Sequence, residues 1–275
     1  ELQLGVDRQL DGRGIGKGDI RFTGSFKQTN ISIDAVTANG TKIYLPISSG
    51  GNASEVKFVK FKDKTKTAPE KENQPALTEL RGVNLDMQLT ATPDAEMFLI
   101  FDERAGDVIH GTGSGDIRLR ITREGEFNMY GTYQIEEGEY LFTLLNLVNK
   151  PFTVKRGGTI TWFGDPFGAD INLVAEYKGL STPVSNLIQE YLAILSQDVR
   201  SEAAKPTQVD LTMLLQGQLL KPNIFFDIDF PALSGDLKNY AVNKLRVIKQ
   251  DQNELNRQVF GLIVAGQFLP STYQL

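Results

Sequence analysis

The chain has 275 residues, a length sufficient for one large or two ordinary domains. Its formal net charge is −5, which argues against nucleic-acid binding because phosphate recognition needs a basic face. The absence of cysteine excludes thiol nucleophiles, thiolate metal sites and disulfides. The 16 phenylalanines, 8 tyrosines and 26 glycines are typical of β-structure.

Residues 1–61 are predicted to form a β-unit, part of which recurs later in the chain. Gly14–Phe22 reads GIGKGDIRF and Gly111–Leu119 reads GTGSGDIRL, so six of nine positions agree at an offset of 97 residues. Each copy is expected to open an alternating strand, which predicts duplicated β-units.

Residues 62–79 are polar and contain proline but no aromatic residue. This composition predicts a flexible, Lys-rich loop. The lysines of Lys57–Lys66 are interpreted as part of a solvated loop, with contact to anionic lipid head groups as the alternative.

Residues 80–233 alternate apolar and polar side chains, as in VNLDMQLT at Val83–Thr90, which is the period of a strand with one buried face. Short connections between the strands predict an antiparallel meander. The predicted turns are Thr92-Pro93-Asp94, Glu137-Gly138, Arg156-Gly157-Gly158, Gly164-Asp165-Pro166 and Lys221-Pro222-Asn223.

Two or three short amphipathic helices are also predicted. One is inserted at about residues 182–200, with Thr182 as its N-cap and Pro183 in its first position. A helical segment at residues 234–266 contains a second helix after Ser234 and a third that begins with a capping box at Asp251 and Glu254. Packing of these helices on the sheet is favoured over a position on a membrane surface.

Nothing in the sequence supports catalysis or a cofactor. His110 is the only histidine, so a histidine-based zinc site is excluded, and no G-x-S-x-G elbow accompanies it. The glycines of Gly111–Gly115 are interpreted as a tight turn, since a phosphate cradle requires a following helix. Adjacent acidic pairs such as Glu136-Glu137 point to opposite faces of a strand and cannot act together.

Five segments form a series of motifs along the chain: GTYQIEEGEYLF at Gly131–Phe142, FTVKRGGTITWFGDPF at Phe152–Phe167, DINLVAEY at Asp170–Tyr177, Val209–Pro231 and Glu254–Pro270. This series resembles the TamB family, the translocation and assembly module proteins within the AsmA-like and bridge-like lipid transfer group. The run GGTITWFGDP is the most specific of these motifs, and the resemblance is best from about residue 80 to residue 270.

The resemblance implies a β-taco, which is an elongated, curled antiparallel sheet with an apolar groove. It implies a protein in the periplasm of a Gram-negative bacterium, with the full-length form anchored in the inner membrane. The implied partners are glycerophospholipid and an Omp85/TamA-type outer-membrane barrel. The chain is expected to be a C-terminal fragment of a longer protein, with residues 80–233 as the β-taco and residues 267–275 as a truncated end.

The apolar faces of the strands are expected to line a continuous groove that binds lipid. This reading predicts a non-enzymatic conduit for phospholipid, with two alternatives: a module that assists outer-membrane protein assembly by strand pairing, and a plain structural β-protein. The predicted lipid-binding residues are Leu85, Met87, Leu89, Leu119, Ile121, Phe142, Leu144, Ile160, Trp162, Leu173, Ala175, Leu211, Met213, Phe226 and Ile228.

Overall fold

The structure is a computed structural model that describes residues 2–6, 10–25, 28–46, 83–102, 106–144 and 148–270. The predicted Lys-rich loop at residues 62–79 and the last five residues lie outside these ranges. The strands are β1 (Leu2–Val6), β2 (Leu10–Gly14), β3 (Gly16–Ser25), β4 (Gln28–Thr37), β5 (Thr41–Pro46), β6 (Val83–Ala91), β7 (Ala95–Asp102), β8 (Asp107–Ile121), β9 (Phe127–Leu144), β10 (Val148–Val154), β11 (Thr159–Gly164), β12 (Asp170–Pro183), β13 (Pro206–Gln218) and β14 (Asn223–Asp229).

Four helical segments follow or interrupt these strands in the described residues. They are a 3₁₀ turn (Gln189–Tyr191), α1 (Gln197–Ala203), α2 (Gly235–Ile248) and α3 (Gln252–Phe260), and α3 continues into a π-helical turn (Gly261–Ala265). The prediction of a mainly β chain with a few short helices is confirmed.

The strands form one large sheet. The sequence analysis predicted an antiparallel meander, but the sheet is mixed. Pairing is antiparallel for β3 with β4, β6 with β8, β7 with β8 and β8 with β9. However, β4 runs parallel to β6, and β5 runs parallel to β7. A meander cannot produce these two pairs, since hairpin-connected neighbours are antiparallel.

The chain divides into two compact units. The first contains Glu1–Leu141, Val154–Leu173 and Gln216–Asn223, and the second contains Phe142–Thr153, Val174–Leu215 and Ile224–Leu275. In the first unit, strands follow the order β1-β2-β5-β7-β8-β9, β6 and β4 extend from β8 towards β3, and β11 pairs with β9.

In the second unit, strands β10, β12, β13 and β14 carry a core that the helices share. The inward residues of β13 have essentially no exposed surface, as the alternation in the sequence predicts. Helix α2 buries its stripe of Leu237, Ala241, Leu245 and Ile248. The predicted third helix is confirmed, because the Asp251 carboxylate accepts hydrogen bonds from the amides of Asn253 and Glu254 at 2.9 and 3.3 Å.

A polar network holds the chain that follows the π-helical turn. Gln258, which has no exposed surface, donates to the carbonyl of Leu269 at 2.9 Å and accepts from its amide at 3.0 Å. Glu254 accepts two hydrogen bonds of 2.8 Å from Arg257, and Arg257 also donates to the carbonyl of Pro270. Both polar atoms of the Gln258 amide are hydrogen-bonded, so the side chain can be buried without an unsatisfied polar group.

The helix predicted at about residues 182–200 does not form as a single helix. Thr182 and Pro183 end β12, turns follow, and α1 begins only after Ser196, whose hydroxyl accepts a hydrogen bond from the amide of Val199. Val184, Leu187 and Ile188 are fully buried in those turns. The apolar residues at helical spacing are buried, but they lie in a series of turns. Periodicity alone cannot distinguish such turns from a helix.

Two predicted turns lie inside long strands. Glu137-Gly138 is part of β9, where the register shift opposite Thr112 and Gly113 makes room for one extra residue. Gly111–Gly115 is part of β8 and contains no glycine with positive φ. Glycine is required here because the neighbouring strand lies too close for a side chain. A Cβ on Gly115 would lie 2.2 Å from the carbonyl oxygen of Thr132.

Candidate functional site

The candidate site lies in the first unit. There the chain turns between β2 and β3, between β4 and β5, and between β6 and β7, and the three turns lie next to one another. β6 and β7 are joined by the turn at Thr92–Asp94, but they do not pair with each other. β6 pairs with Gly115–Ile121 of β8 and β7 with Asp107–Thr112. Since β9 occupies the other edge of β8, β6 and β7 follow one another along the same edge, and the turn at Thr92–Asp94 is a corner.

The same corner recurs in the layers outside β6 and β7. β4 pairs with β6 and β5 pairs with β7, with the chain turning at Ala38–Gly40 between them. β3 pairs with β4 and β2 pairs with β5, with Ile15 between them. The chain passes through β4 and then β5, and later through β6 and then β7, in the same direction along the edge of β8. For this reason β4 is parallel to β6 and β5 is parallel to β7.

Buried threonines connect the corners by hydrogen bonds. Thr41, which is 2% exposed, accepts from the Ile15 amide at 3.0 Å, and its hydroxyl lies 2.7 Å from the Ile15 carbonyl and 2.8 Å from the Ala38 carbonyl. Thr37 accepts from the Thr92 amide at 2.8 Å, and the two hydroxyls are 3.1 Å apart. These bonds satisfy backbone groups that the turns remove from the strand ladders.

Apolar side chains form rows across the strands on the face inside the corner. The register aligns Ile20 with Ile33, Ile33 with Met87, Met87 with Leu119 and Leu119 with Met129. The next row contains Ala35, Leu89 and Ile117, and ends at Gly131 opposite Trp162. Cross-strand neighbours on one face touch, so the rows form a continuous apolar surface.

This surface encloses a cavity of about 360 Å³. The volume is within the range of small-molecule sites, roughly 300–1,000 Å³. Most of the lining is aliphatic, and Trp162, the only tryptophan of the chain, is part of it. The lining residues are Gly14, Ile15, Gly16, Gly18, Ile20, Ile33, Ala35, Thr37, Thr41, Lys42, Ile43, Leu45, Met87, Leu89, Ala91, Ala95, Glu96, Met97, Ile117, Leu119, Met129, Tyr133 and Trp162.

Trp162 is positioned by the motif that follows it. Its indole Nε1–H donates to the carbonyl of Pro166 at 3.0 Å, and the carboxylate of Asp165 accepts from the amide of Phe167 at 3.0 Å. Gly164 has a φ of 145°, which favours glycine at this turn. The W-F-G-D-P run is therefore a structural element that fixes the indole ring in the cavity wall.

Most polar side chains of the cavity wall are already engaged. Thr37 and Thr41 take part in the corner hydrogen bonds described above. The side chains of Lys42 and Glu96 lie on the opposite face of the sheet, beside Phe98, where they form an ion pair of 3.0 Å, and the hydrogen bond to Glu96 raises the pKa of Lys42. All four side chains are therefore already hydrogen-bonded or paired within the fold.

Tyr133 is the exception. It is 4% exposed, and its hydroxyl has no hydrogen-bond partner in the described part of the chain. Burial, with a smaller contribution from Glu136, raises the pKa of Tyr133 to about 12, so the hydroxyl remains protonated at neutral pH. Its ring lies over Gly113, where an added Cβ would come within 2.9 Å of the ring carbons.

The apolar surface becomes more exposed towards β3. Met129 at the β9 end of its row is 6% exposed, whereas Ile20 at the β3 end is 50% exposed. Phe22, on the same face of β3, is 62% exposed. β3 pairs only with β4 in the described residues, so this edge of the sheet is open. The apolar surface therefore extends from the cavity to the exposed strand β3.

The structure brings only part of the predicted lipid-binding set into the cavity. Met87, Leu89, Leu119 and Trp162 line it, and Leu85 and Ile121 lie beside it in the next row of the same face. Ile160 and Leu173, also in the first unit, have no exposed surface. Phe142, Ala175, Leu211, Met213, Phe226 and Ile228 belong to the second unit, and the side chain of Leu144 lies outside the described part.

The predicted residues of the second unit form a packed core. Phe142 contacts Phe152 and Phe226 edge to face, with ring centroids 5.9 and 6.0 Å apart. Leu211 and Met213 have no exposed surface. Core packing is sufficient to explain why these side chains are buried. Lipid contact at these positions stays a prediction.

Sequence reasoning missed the cavity residues on β4, β5 and β7, and it missed Tyr133. The alternation of Ile31, Ile33 and Ala35 in β4 carried the same signal that was used for β6. The repeat of Gly14–Phe22 in Gly111–Leu119 was a further signal, since Ile20 and its equivalent Ile117 both line the cavity.

His110 is placed on the face opposite the cavity. Its ring stacks on Phe98 at a centroid distance of 5.6 Å, and its Nε2 atom lies 3.6 Å from a carboxylate oxygen of Glu139. In the described ranges, no three histidine or acidic side chains group closely enough to hold a metal ion. No helix there is long and apolar enough to cross a membrane.

In the first unit, the strands form a β-sheet with an apolar surface and a cavity on one face. The chain belongs to the TamB family, because the TamB C-terminal domain matches residues 1–274. This membership supports a role in the outer-membrane assembly and lipid-transport context of the translocation and assembly module. The family is not known as enzymatic, and it implies association with an Omp85-type TamA partner. Comparison with curated proteins yields no match.

Proposed function

We propose that the chain is a non-enzymatic, periplasmic section of a conduit that moves phospholipid from the inner to the outer membrane. It would work with an Omp85/TamA-type barrel, and the full-length protein would be anchored in the inner membrane. The observation that carries this proposal is the continuous apolar surface on the inner face of β3, β4, β6, β8 and β9, which encloses a cavity and opens at β3.

The energetics of lipid transfer support this function. A two-chain lipid exposes on the order of thirty methylene groups to water, at about 0.8 kcal/mol each, a total of roughly 24 kcal/mol. An apolar surface that replaces water along the acyl chains removes much of this cost without bond chemistry. No cofactor is required for such a role.

Trp162 allows a direct test of lipid binding, because it is the only tryptophan and it lines the cavity. We expect a phospholipid with dibrominated acyl chains to quench its fluorescence in the purified chain. Met87→Arg places a cation on the cavity face and should reduce the quenching by at least tenfold in apparent affinity, since an unpaired charge in an apolar site costs several kcal/mol.

The matched control is Gln88→Arg, one residue further along β6 and on the exposed face. It should be quenched like the parent chain. Equal quenching of the Met87→Arg and Gln88→Arg variants would refute lipid binding in this cavity, as would the absence of quenching in the parent chain.

A second candidate function, assistance to outer-membrane protein assembly by strand pairing, is favoured by the edge of β3. Its ten residues are all exposed, and β3 has one strand neighbour in the described residues. Unpaired strand edges bind extended polypeptides by adding a strand. A photo-crosslinking residue at Thr23 of β3 should then capture the barrel in cells, while the same residue at Thr90 of the interior strand β6 should not.

A further inference from the structure

We infer that the cavity accepts a single acyl chain, with the terminal methyl group at the β9 end and the polar head group outside β3. This use of the cavity rests on the proposed lipid-binding function and deepens it, because it states how much of a lipid is bound and in which direction. The second acyl chain of a phospholipid would lie outside, on the exposed side chains of Ile20 and Phe22. The cavity would then select lipids by the length of one chain.

The size of the cavity limits it to about one chain. A cavity of about 150 Å³ in another protein holds one benzene molecule, which has six carbon atoms. The cavity in this chain has a volume of about 360 Å³, so it holds on the order of fourteen carbon atoms. A two-chain phospholipid carries roughly thirty methylene groups, about twice that number.

The length of the cavity agrees with its volume. The cavity is lined from β3 to β9 by the row of Ile20, Ile33, Met87, Leu119 and Met129. This row crosses four strand spacings of about 4.8 Å each, a distance of about 19 Å. An extended chain advances about 1.2 Å per bond, since three backbone bonds span about 3.6 Å. The row therefore has the length of about sixteen bonds of an acyl chain that lies across the strands.

One end of the cavity is closed and the other is open. Met129 and Trp162 line the end at β9 and β11, and they are 6% and 3% exposed. At the other end Ile20 is 50% exposed. Gly16 and Gly18, which line the cavity beside Ile20, are exposed and have no side chain to narrow the entrance. An acyl chain would therefore enter from β3 and stop at Met129 and Trp162.

The closed end offers no polar partner to a head group. The indole Nε1–H of Trp162 already donates to the carbonyl of Pro166, and the hydroxyl oxygen of Tyr133 is enclosed by protein atoms. The hydroxyls of Thr37 and Thr41 are hydrogen-bonded at the corners. A charged head group at this end would lose its hydration without gaining partners, which is strongly unfavourable. A terminal methyl group needs no such partner, and this sets the direction of the chain.

The position of a quencher on the lipid tests this direction. Two lysophosphatidylethanolamines of equal chain length are compared in the purified chain, one brominated near the terminal methyl group and one near the carbonyl group. Because Trp162 lies at the closed end, the methyl-end probe should quench its fluorescence more strongly at saturation. Equal quenching, or stronger quenching by the carbonyl-end probe, would overturn the inference.

The dependence of affinity on chain length tests the limit to one chain. We expect each added methylene group to raise the affinity of a saturated lysophosphatidylethanolamine about fourfold, up to a chain of about 14–16 carbon atoms. Longer chains should gain little, because their additional methylene groups remain in water. Competition with the methyl-end probe measures these affinities, at lipid concentrations below micelle formation. A gain that continues unchanged to about 20 carbon atoms would overturn the inference.

Met129→Ala tests the closed end, because it removes the wall atoms beyond Cβ at that position. The chain length at which the affinity stops rising should increase by about two to three carbon atoms. The matched control is Asn128→Ala on the opposite face of β9, which should keep the limit of the parent. The same limit in both folded variants would overturn the inference. If Met129→Ala does not fold, the two experiments on the parent chain decide.

Native mass spectrometry of the parent chain with lysophosphatidylethanolamine counts the bound chains. One bound lipid per protein is expected, and two bound with similar affinity would overturn the inference. Palmitic acid should compete as well as the lysophosphatidylethanolamine with the same chain, because the head group lies outside the cavity. Much tighter binding of palmitic acid would show that a carboxyl group enters the cavity, which contradicts the inferred direction. Absence of quenching by all of these lipids would instead remove the proposed function itself.

Discussion

At the residue scale, exposure separates the side chains that can meet a ligand from those that hold the fold. Met87 and Leu89 line the cavity and are partly exposed, whereas Leu173 has no exposed surface and packs against Gly158, where an added Cβ would lie 2.5 Å from a Leu173 methyl carbon. Both kinds of position show the same alternation in sequence. Only the neighbours that surround each position distinguish them.

Leu173→Arg is expected to destabilise the fold severely. An unpaired charge forced into a fully buried position costs several kcal/mol, about 3–5 or more, and leaves arginine no path to solvent. Asn172→Arg is the control, because Asn172 is exposed and only its hydrogen bond of 3.2 Å from Gln216 is lost. Urea unfolding of both variants measures the difference. A Leu173→Arg protein as stable as Asn172→Arg would show that Leu173 borders an open groove.

The outer face of the sheet contains an ion pair with a predictable pH dependence. Arg118 donates two hydrogen bonds, of 2.8 and 2.6 Å, to the carboxylate of Asp86, and these bonds lower the pKa of Asp86. A carboxylate with a lowered pKa stabilises the folded state above its unfolded pKa of about 3.9, and this contribution is lost as the pH falls through the folded value.

The free energy of unfolding of the parent should therefore exceed that of Asp86→Asn at pH 7 by at most about 1 kcal/mol, since both side chains are partly exposed. The difference should shrink below pH 4 and vanish at lower pH, as measured by urea unfolding at a series of pH values. In an Arg118→Gln background the difference should be small at every pH. A difference that is constant from pH 7 to pH 2 would contradict the assignment.

At the scale of elements, the corners decide what the strands become. The turn at Thr92–Asp94 would read as a hairpin in a simple meander, yet it directs β6 and β7 along one edge of β8. Threonine hydroxyls replace the backbone partners that the strands give up at these corners. We expect the corners, and with them the cavity, to depend on those hydrogen bonds.

Thr41→Val tests this dependence, because valine has nearly the same shape and no hydroxyl. It should lower the free energy of unfolding by about 1–3 kcal/mol, since the Ile15 amide and the Ala38 carbonyl lose their buried partner. Thr23→Val, on the exposed strand β3, should change it by less than about 0.5 kcal/mol. Thermal or urea unfolding compares the two. Equal stability of the two variants would show that Thr41 does not hold the corner.

At the scale of the whole molecule, the two units use alternating strands in different ways. In the first unit one face of the strands lines a cavity, and in the second the inward face is covered within a core shared with helices α2 and α3. β9, β12 and β13 each contribute residues to both units. β9 therefore carries cavity-lining residues along part of its length and core residues along the rest.

A non-enzymatic role predicts that the only histidine is dispensable. His110→Ala in the full-length protein should leave the outer-membrane barrier unchanged, while Met87→Arg should make it permeable and Gln88→Arg should not. The measurement is uptake of a hydrophobic dye by cells that produce each variant at equal levels. Loss of the barrier in a stably folded His110→Ala protein would argue for catalysis by this residue.

The sequence by itself determined the local features of this protein. Alternation at Val83–Thr90 identified a strand with one apolar face, Asp251 identified a helix start, and the W-F-G-D-P run identified the family, because each depends on residues close together in the chain. Contacts between distant residues were decided by tertiary structure alone. The parallel pairs β4–β6 and β5–β7, the division of apolar faces between cavity and core, and the burial of Tyr133 all depend on which strands become neighbours. A period of two residues contains no information about that choice.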